Sequence, residues 1–181
     1  MIWDAGRERL ERDSLVARLL DLGIDAPVVR YPAHASIEEG KRLRGDLPGA
    51  FTKNLLLKDK KGRLFFVSAF EDTDIDLKTL HTRFGAQGRL GFASPVAMAE
   101  LLRVHPGSAT PLGLMNHTEN VVTLVVDEAL LSAEQLNFHP MTHREHRSDL
   151  AAVPCLRGLL RPRTARRAPR VIMRKKRARP S

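Results

Sequence analysis

The chain has 181 residues, a formal net charge of +9 and one cysteine, Cys155. This length suits a single domain with a full hydrophobic core, and one cysteine excludes an intramolecular disulfide framework. The N-terminus is charged, and no apolar run approaches the roughly 20 residues that cross a bilayer. We therefore expect a soluble cytoplasmic protein with no zinc cluster, no metal and no membrane partner.

Positive charge is concentrated near the C-terminus. Residues 141–181 carry 13 of the 30 Lys and Arg and 2 of the 21 Asp and Glu, which leaves 17 basic and 19 acidic residues in 1–140. The high isoelectric point therefore describes the tail more than the fold. We predict a catalytic domain over 1–142 and a basic, Pro/Arg-rich tail over 143–181.

Helix and strand patterns alternate in the first half of the chain. Apolar side chains recur with helical spacing over Arg7–Leu22, and Gly23 follows as a stop signal. Val28–Tyr31 is a short β-branched run. The segment Ser36–Glu39 has the Ser-x-x-Glu spacing of a capping box, which predicts a second helix ending near Arg44. These patterns place one strand between two helices.

A hairpin is predicted in the middle of the chain. Its strands are Asn54–Lys58 and Arg63–Ser68, and Gly62 in the connection supplies the positive φ that a tight turn needs. Three further helices are predicted over Asp76–Phe84, from Ser94-Pro95 to Leu102, and, as a short helix, over Asp127–Glu134. Three further strands are predicted over Leu90–Phe92, over Val121–Val126 as a central strand, and over Gln135–Phe138. The last of these is the final strand and carries His139 to the sheet edge. Hairpins mixed with helical crossovers indicate an α+β fold with a mixed, mostly antiparallel sheet flanked by helices.

Few residues have a spacing typical of catalysis. Lys53 begins an apolar strand, where its ammonium would serve as an electrostatic clamp on a carbonyl or phosphate oxygen, or would be an ordinary solvated group. Asn54 fits a pocket or a turn. Gly107 fits an exposed N–H or a simple loop, and His139 fits a proton shuttle or a hydrogen-bonded core histidine. Each residue taken alone leaves both interpretations open.

Their combination resembles a known family. The matching segments, in order, are Ile37-Glu38-Glu39-Gly40, Gly49-Ala50-Phe51-Thr52-Lys53-Asn54-Leu55, Leu57-Lys58-Asp59-Lys60-Lys61-Gly62, Gly107-Ser108-Ala109-Thr110-Pro111-Leu112 and Asn137-Phe138-His139-Pro140-Met141-Thr142. Together they resemble the YbaK/prolyl-tRNA-synthetase-associated editing domains, and within them the free-standing prolyl-tRNA editing proteins. The resemblance implies that fold and a hydrolase that deacylates alanyl-tRNA(Pro).

The resemblance also implies roles for particular residues. Lys53 is the required lysine, and Gly107 belongs to a Gly-x-x-x-Pro loop that holds the aminoacyl ester. The residues implied to line the substrate pocket are Tyr31, Asn54, Ser108, Ala109, Thr110, Pro111, His139 and Met141. No cofactor is implied, and the implied partners are mischarged tRNA(Pro) and prolyl-tRNA synthetase.

The chain departs from the family pattern at two places. Tyr31 stands where the family has histidine, and after Thr142 the sequence becomes Arg-rich where the family continues with a short strand and a closing helix. A frameshifted reading of the normal ending explains the tail, because codons exist for His143–Arg147 that read Thr-Ala-Ser-Thr-Gly in the +1 frame. The alternatives are a disordered terminus and a basic arm that binds tRNA phosphates. Two rival functions therefore stay open: a non-catalytic nucleic-acid-binding protein that uses the basic tail, and a catalytically inactive family member.

Overall fold

A computed structural model describes residues 5–32, 36–104, 108–116, 121–141, 143–144, 147–154 and 170–173. Within them lie three α-helices: α1 (Ala5–Asp21), α2 (Ile37–Arg44) and α3 (Pro95–Leu102). The strands are β1 (Val28–Pro32), β2 (Ala50–Lys58), β3 (Leu64–Phe70), β4 (Gly91–Phe92), β5 (Val122–Asp127), β6 (Gln135–Phe138), β7 (His143–Arg144), β8 (Arg147–Pro154) and β9 (Arg170–Met173).

The strands form one mixed sheet in the order β1-β8-β6-β2-β3-β5-β9, with β4 paired to β2 and β7 to β8. Three pairings are parallel, namely β2 with β6, β3 with β5 and β5 with β9. The remaining pairings are antiparallel. The predicted α+β fold with a mostly antiparallel sheet is confirmed.

Local capping explains why α2 and α3 begin where the sequence predicts. The Ser36 side chain accepts a hydrogen bond from the backbone N–H of Glu39 at 3.1 Å. Ser94 accepts one from the N–H of Ala97 at 3.1 Å, and Pro95 occupies the first helical position. In both cases the hydroxyl satisfies an N–H that a helix start leaves without an intrahelical partner.

Two predicted helices are shorter and tighter than expected. The helix predicted over Asp76–Phe84 is a single 3₁₀ turn, Leu80–Arg83, and the helix predicted after Asp127 is the 3₁₀ turn Glu128–Ser132. Asp76 accepts hydrogen bonds from the Lys78 N–H and the Thr79 hydroxyl. These local bonds compete with a helical ladder, so the helix predicted over Asp76–Phe84 was wrong in extent and type. The short helix predicted over Asp127–Glu134 is present as a 3₁₀ turn.

Strand β6 lies inside the sheet, between β8 and β2. The expectation that it is the final strand was wrong, because β7, β8 and β9 follow it in the chain and β8 pairs with both β6 and β1. The sheet therefore continues past residue 142. The division of the chain into domains at that residue stays a prediction.

Each face of the sheet carries its own hydrophobic cluster. The first face includes Leu56, Phe66 and Leu136, which pack with α1 residues such as Leu19. The second face includes Leu57 and other residues of β2, β3 and β5, covered by segment 75–90. Successive side chains of a strand point to opposite faces, which explains why neighbouring leucines belong to different clusters.

Gly49 precedes β2 with φ 93° at a crowded position. A Cβ there would lie 2.8 Å from Asn137 Nδ2 and 2.9 Å from Gln135 Nε2, the two amides that donate to the Pro48 carbonyl. We expect Gly49→Ala to lower the free energy of unfolding by about 1–3 kcal/mol more than Gly23→Ala. Gly23 is the matched control because its φ is 74° and nothing lies within 4 Å of its Cβ position. Equal losses in urea denaturation would show that the close approach has no energetic consequence.

The β2–β3 turn is organised by the buried carboxylate of Asp59. It accepts backbone N–H bonds from Lys61 at 2.9 Å, Arg63 at 3.0 Å and Gln87 at 3.0 Å, and it pairs with the Arg63 guanidinium at 2.8 Å. Burial by itself would raise the pKa of Asp59, but these hydrogen bonds outweigh it and lower the pKa from 3.8 to about 2. The charged form therefore stabilises the folded turn.

This lowered pKa makes the stability of the turn pH-dependent. The contribution of Asp59 is complete above about pH 3.8 and is lost as the pH falls through about 2. We expect urea midpoints of the native chain to fall across this window, whereas Asp59→Asn starts lower at pH 5 and falls less. Asp46→Asn, at an exposed turn, controls for the charge change. If the urea midpoint changed with pH in the same way for the native protein and for Asp59→Asn, the pH dependence could not be assigned to Asp59.

Candidate active site on strand β2

Side chains alternate between the two faces of the sheet along β2, and this separates the predicted site residues Lys53 and Asn54. Asn54 pairs in register with Ser68, and Lys53 with Ala69. Asn54 shares the first face with Thr52 and Leu56, whereas Lys53 shares the second face with Leu55. The family resemblance implied that Lys53 and Asn54 belong to one site, but the strand directs their side chains to opposite faces.

On the first face, Asn54 is held by a chain of hydrogen bonds. The Ser68 hydroxyl donates to Asn54 Oδ1 at 2.7 Å, Asn54 Nδ2 donates to Thr52 Oγ1 at 3.1 Å, and the Thr52 hydroxyl donates to the Asn137 carbonyl at 3.2 Å. Ser68 is 1% exposed and Asn54 is half-buried. The chain fixes which way the amide faces, leaving one N–H of Asn54 for another acceptor. Thr52 and Ser68 were missed by the sequence analysis, although polar residues in apolar strands are a usable signal.

The predicted ester-binding loop is buried from Ser108 onward. Thr110 shapes it by accepting from the Leu112 N–H at 3.3 Å and, through its carbonyl, from the Gly113 N–H at 3.1 Å. Ala109 packs in the cluster of the first face, and Pro111 opens the 3₁₀ turn that follows. Gly107 lies outside the described residues.

Ser108 is the chemically distinctive member of this loop. It is 1% exposed, and its hydroxyl has no hydrogen-bond partner in the part of the chain that the structure describes. A buried hydroxyl without a partner loses its hydration with no compensation. This cost is removed when a bound ligand supplies the partner, so Ser108 is a ligand-binding candidate.

The other predicted pocket residues are less closely grouped. Met141 is buried in the first-face cluster with φ 63°, an uncommon backbone conformation for a side-chain-bearing residue. His139 is half-buried just beyond β6. Tyr31 lies in β1, paired in register with Ser148, and its side chain is outside the described set. The structure thus places Asn54, Ala109 and Met141 on the first face.

Lys53 has a different electrostatic environment on the second face. The nearby Asp72 has a lowered pKa, chiefly because the Lys41 ammonium bonds to it at 2.5 Å, and Lys53 lowers it further through its charge. Arg44 of α2 is bound by both Glu71 oxygens at 2.9 Å and lies 3.7 Å above the centre of the Phe51 ring. Helix α2 is therefore tied to the end of β3 by two ion pairs.

A cleft of about 680 Å³ opens at this end of the sheet. Its lining is acidic, with Arg83 as the cation, and comprises Ala50, Phe51, Phe70, Glu71, Asp72, Thr73, Asp74, Arg83 and Asp127. No sequence motif indicated this cleft, although the acidic run after β3 was a usable signal. In the described ranges, no group of three His, Cys, Asp or Glu side chains is arranged to hold a metal ion. No helix of the described residues is long and apolar enough to cross a membrane.

Comparison with known proteins agrees with this fold. Residues 31–149 match the family model described as the aminoacyl-tRNA editing domain, and the chain belongs to that family. It is 40% identical over 136 residues to the prolyl-tRNA synthetase associated domain-containing protein 1 of Bos taurus, covering 73% of this chain and 79% of the relative. It is 31% identical over 130 residues to the prolyl-tRNA editing protein ProX of Acetoanaerobium sticklandii, covering 71% and 79%.

Two solved structures share the fold at 19% sequence identity. One, from a study of epitope grafting onto scaffold proteins, has a TM-score of 0.64 and covers 92% of this chain and 97% of its own. The other, a crystal structure of a hypothetical protein, has a TM-score of 0.61 and covers 87% and 96%. The resemblance to an editing domain predicted from the sequence motifs is confirmed.

Proposed function

We propose that this protein hydrolyses alanyl-tRNA(Pro), releasing alanine and free tRNA. Support comes from membership of the editing-domain family and from the likeness to ProX. A synthetase pocket cannot strongly reject a substrate smaller than its own, so a separate hydrolytic site that admits small side chains and excludes larger ones is needed. We further propose that the protein works in the cytoplasm beside prolyl-tRNA synthetase.

The observation that carries this proposal is the buried Ser108 hydroxyl, which has no partner among the described residues. It lies in the loop for which the family resemblance implies contact with the aminoacyl ester. Asn54, with one N–H left after its bonds to Thr52 and Ser68, belongs to the same face as Ala109. These groups are suited to binding the ester carbonyl and the oxyanion that forms on attack.

The chemistry requires few acid–base residues because an aminoacyl ester is already activated. Water attacks the carbonyl carbon, a tetrahedral oxyanion forms, and collapse expels the ribose hydroxyl of the terminal adenosine. Positioning the water and stabilising the oxyanion supply much of the rate, and the neighbouring ribose hydroxyl assists. No cofactor is needed for this reaction.

Lys53 has a different proposed task. Its side chain leaves β2 on the face opposite Asn54, so of the two oxygens considered in the sequence analysis, a phosphate oxygen fits better than the ester carbonyl. An ammonium is a compact point charge suited to a phosphate. We therefore propose that Lys53 holds the phosphate next to the terminal nucleotide.

The test is a deacylation assay with alanyl-, cysteinyl- and prolyl-tRNA(Pro). We expect rapid release of alanine, no release of proline, and a rate for cysteine that defines the size limit of the pocket. A chain that unfolds cooperatively yet releases no alanine would overturn the proposal. Family membership would then describe ancestry, as in the inactive-member alternative.

A further inference from the structure

A second charged surface lies at the opposite end of β2 from the acidic cleft. It consists of the β2–β3 turn, 58–63, and the segment 85–92 beside it. The Lys60 N–H donates to the Gln87 carbonyl at 3.2 Å, and the Arg63 guanidinium donates to the Gly85 carbonyl at 3.0 Å. Strand β4 pairs with the end of β2, so that Lys58 lies opposite Gly91. We name this surface the basic turn.

The basic turn presents cations on a rigid frame. Lys58, Lys60, Lys61 and Arg89 are exposed, and the Arg63 side chain is 48% exposed. The matching carboxylate, Asp59, is buried beneath them and accepts hydrogen bonds from this frame. Arg89 also acts on Asp76, whose pKa is lowered mainly by the Lys78 N–H and the Thr79 hydroxyl. The outward-facing charge is therefore strongly positive.

An exposed aromatic ring lies on β4, the strand that pairs with the end of β2 at this turn. Phe92, paired in register with Leu57, is 67% exposed on β4. Lysines alone are ordinary surface groups, but cations and an exposed ring on neighbouring segments are suited to a nucleic acid, because phosphates pair with the cations and a base or ribose stacks on the ring. Apart from the single phosphate proposed for Lys53, the cleft at the other end of β2 is lined mainly by carboxylates and is unsuited to a run of duplex phosphates.

We propose that the basic turn binds the acceptor arm of the tRNA, with Lys58, Lys60, Lys61 and Arg89 on its phosphates and Phe92 stacked at the junction with the unpaired 3′ end. The proposal rests on the proposed function for the identity of the RNA. Lys58 lies five positions after Lys53 along β2, which corresponds to about 17 Å. In a tRNA, several unpaired nucleotides likewise separate the ester from the first base pair.

The first experiment measures binding of uncharged tRNA(Pro) to the full chain by fluorescence anisotropy at several salt concentrations. We expect the double variant Lys60→Ala/Lys61→Ala to weaken binding about tenfold near 0.1 M salt and to reduce the salt slope by about 1.5. The matched control is Lys175→Ala/Lys176→Ala, which removes the same two charges from the tail. Loss confined to the tail variant would overturn the proposal and favour the tail as the RNA-binding arm.

The aromatic contact is tested by two substitutions of Phe92. We expect Phe92→Ala to weaken binding by about fivefold or more, while Phe92→Tyr, which keeps a stacking ring, binds like the native chain. Because Phe92 is exposed, neither change should alter the melting temperature. Equal binding by both variants would remove Phe92 from the interface.

The final measurement separates this proposal from the proposed function. The lysine double variant should lose about tenfold in kcat/KM on alanyl-tRNA(Pro) and nothing on a short alanylated 3′-terminal oligonucleotide, which cannot reach the basic turn. If the native chain binds tRNA through the turn but releases no alanine, the proposed function fails and the binding surface stands. If the native chain releases alanine while the double variant binds tRNA like the native chain, the proposed function stands and the proposed binding surface fails.

Discussion

Replacing Asn54 by alanine is expected to lower kcat for alanine release by about 10²–10³-fold, the usual effect of removing one oxyanion donor. The same change should alter KM little, because the oxyanion exists only in the transition state. Asn54 is suited to this task because Ser68 and Thr52 fix its amide with bonds of 2.7 and 3.1 Å. A donor that is already oriented needs no reorganisation during the reaction.

Lys53→Ala is the companion variant on the opposite face. Loss of a hydrogen bond to a charged group is worth about 1.5–3 kcal/mol, so kcat/KM should fall by about 10- to 150-fold. We expect most of this loss in KM, and partial recovery in Lys53→Arg, which keeps the cation. Lys78→Ala, at an exposed position, controls for the loss of one positive charge.

The way each loss divides between kcat and KM tests the roles assigned to Asn54 and Lys53. If Lys53→Ala instead lowers kcat with KM unchanged, the ammonium acts on the ester, and the division of the site between two faces of the sheet is wrong. Normal kcat in Asn54→Ala would remove the amide from the reaction. Thermal unfolding of each variant guards against loss of activity through loss of structure.

The sequence predicted what local rules determine. The capping serines Ser36 and Ser94 marked two helix starts correctly, because the cap depends on residues three positions apart. The hairpin over β2 and β3 followed from two apolar runs around a turn containing Gly62. The segment after Asp76 was predicted wrongly because its side-chain bonds compete with a helix.

The site was only partly readable in this way. Lys53 and Asn54 are adjacent in one motif, which suggests that they act at one place. Adjacent side chains of a strand point to opposite faces, so their separation follows only when the two-residue period of the strand is applied to the motif. Whether the Ser108 hydroxyl finds a partner among the described residues depends on contacts from distant elements, which have no local signature. Likewise, the apolar run Leu150–Val153 of β8 was the signal for a strand that the Arg-rich composition around it obscured.

That strand leads to the prediction with the largest effect on stability. A chain ending at Thr142 is expected to lose cooperative unfolding, whereas a chain ending at Pro154 is expected to keep it. Strand β8 pairs with β1 over Val28–Pro32 on one side and with β6 over Gln135–Phe138 on the other. Val153, which is fully buried, belongs to the first-face cluster.

The expected loss is large relative to the stability available. Burial of a side chain such as valine contributes about 1.5–3 kcal/mol, and removal of β8 also leaves two rows of backbone groups without their sheet partners. Domains of this size are stable by only about 5–15 kcal/mol. The shorter chain should therefore be largely unfolded, a result that calorimetry registers as the absence of a melting transition.

The chain ending at Pro154 is the matched control because it keeps both ladders and loses β9, which pairs with β5 at the far end of the sheet. Similar melting temperatures for the two truncated chains would support the domain boundary predicted at residue 142. Unfolding of the shorter chain alone would place part of the Arg-rich ending in the folded domain. The frameshift hypothesis is tested separately, by comparing the coding DNA with that of relatives. An in-frame sequence with no insertion or deletion near codon 143 relative to them would exclude it. Strand β8 would then be an ordinary part of this protein's sheet.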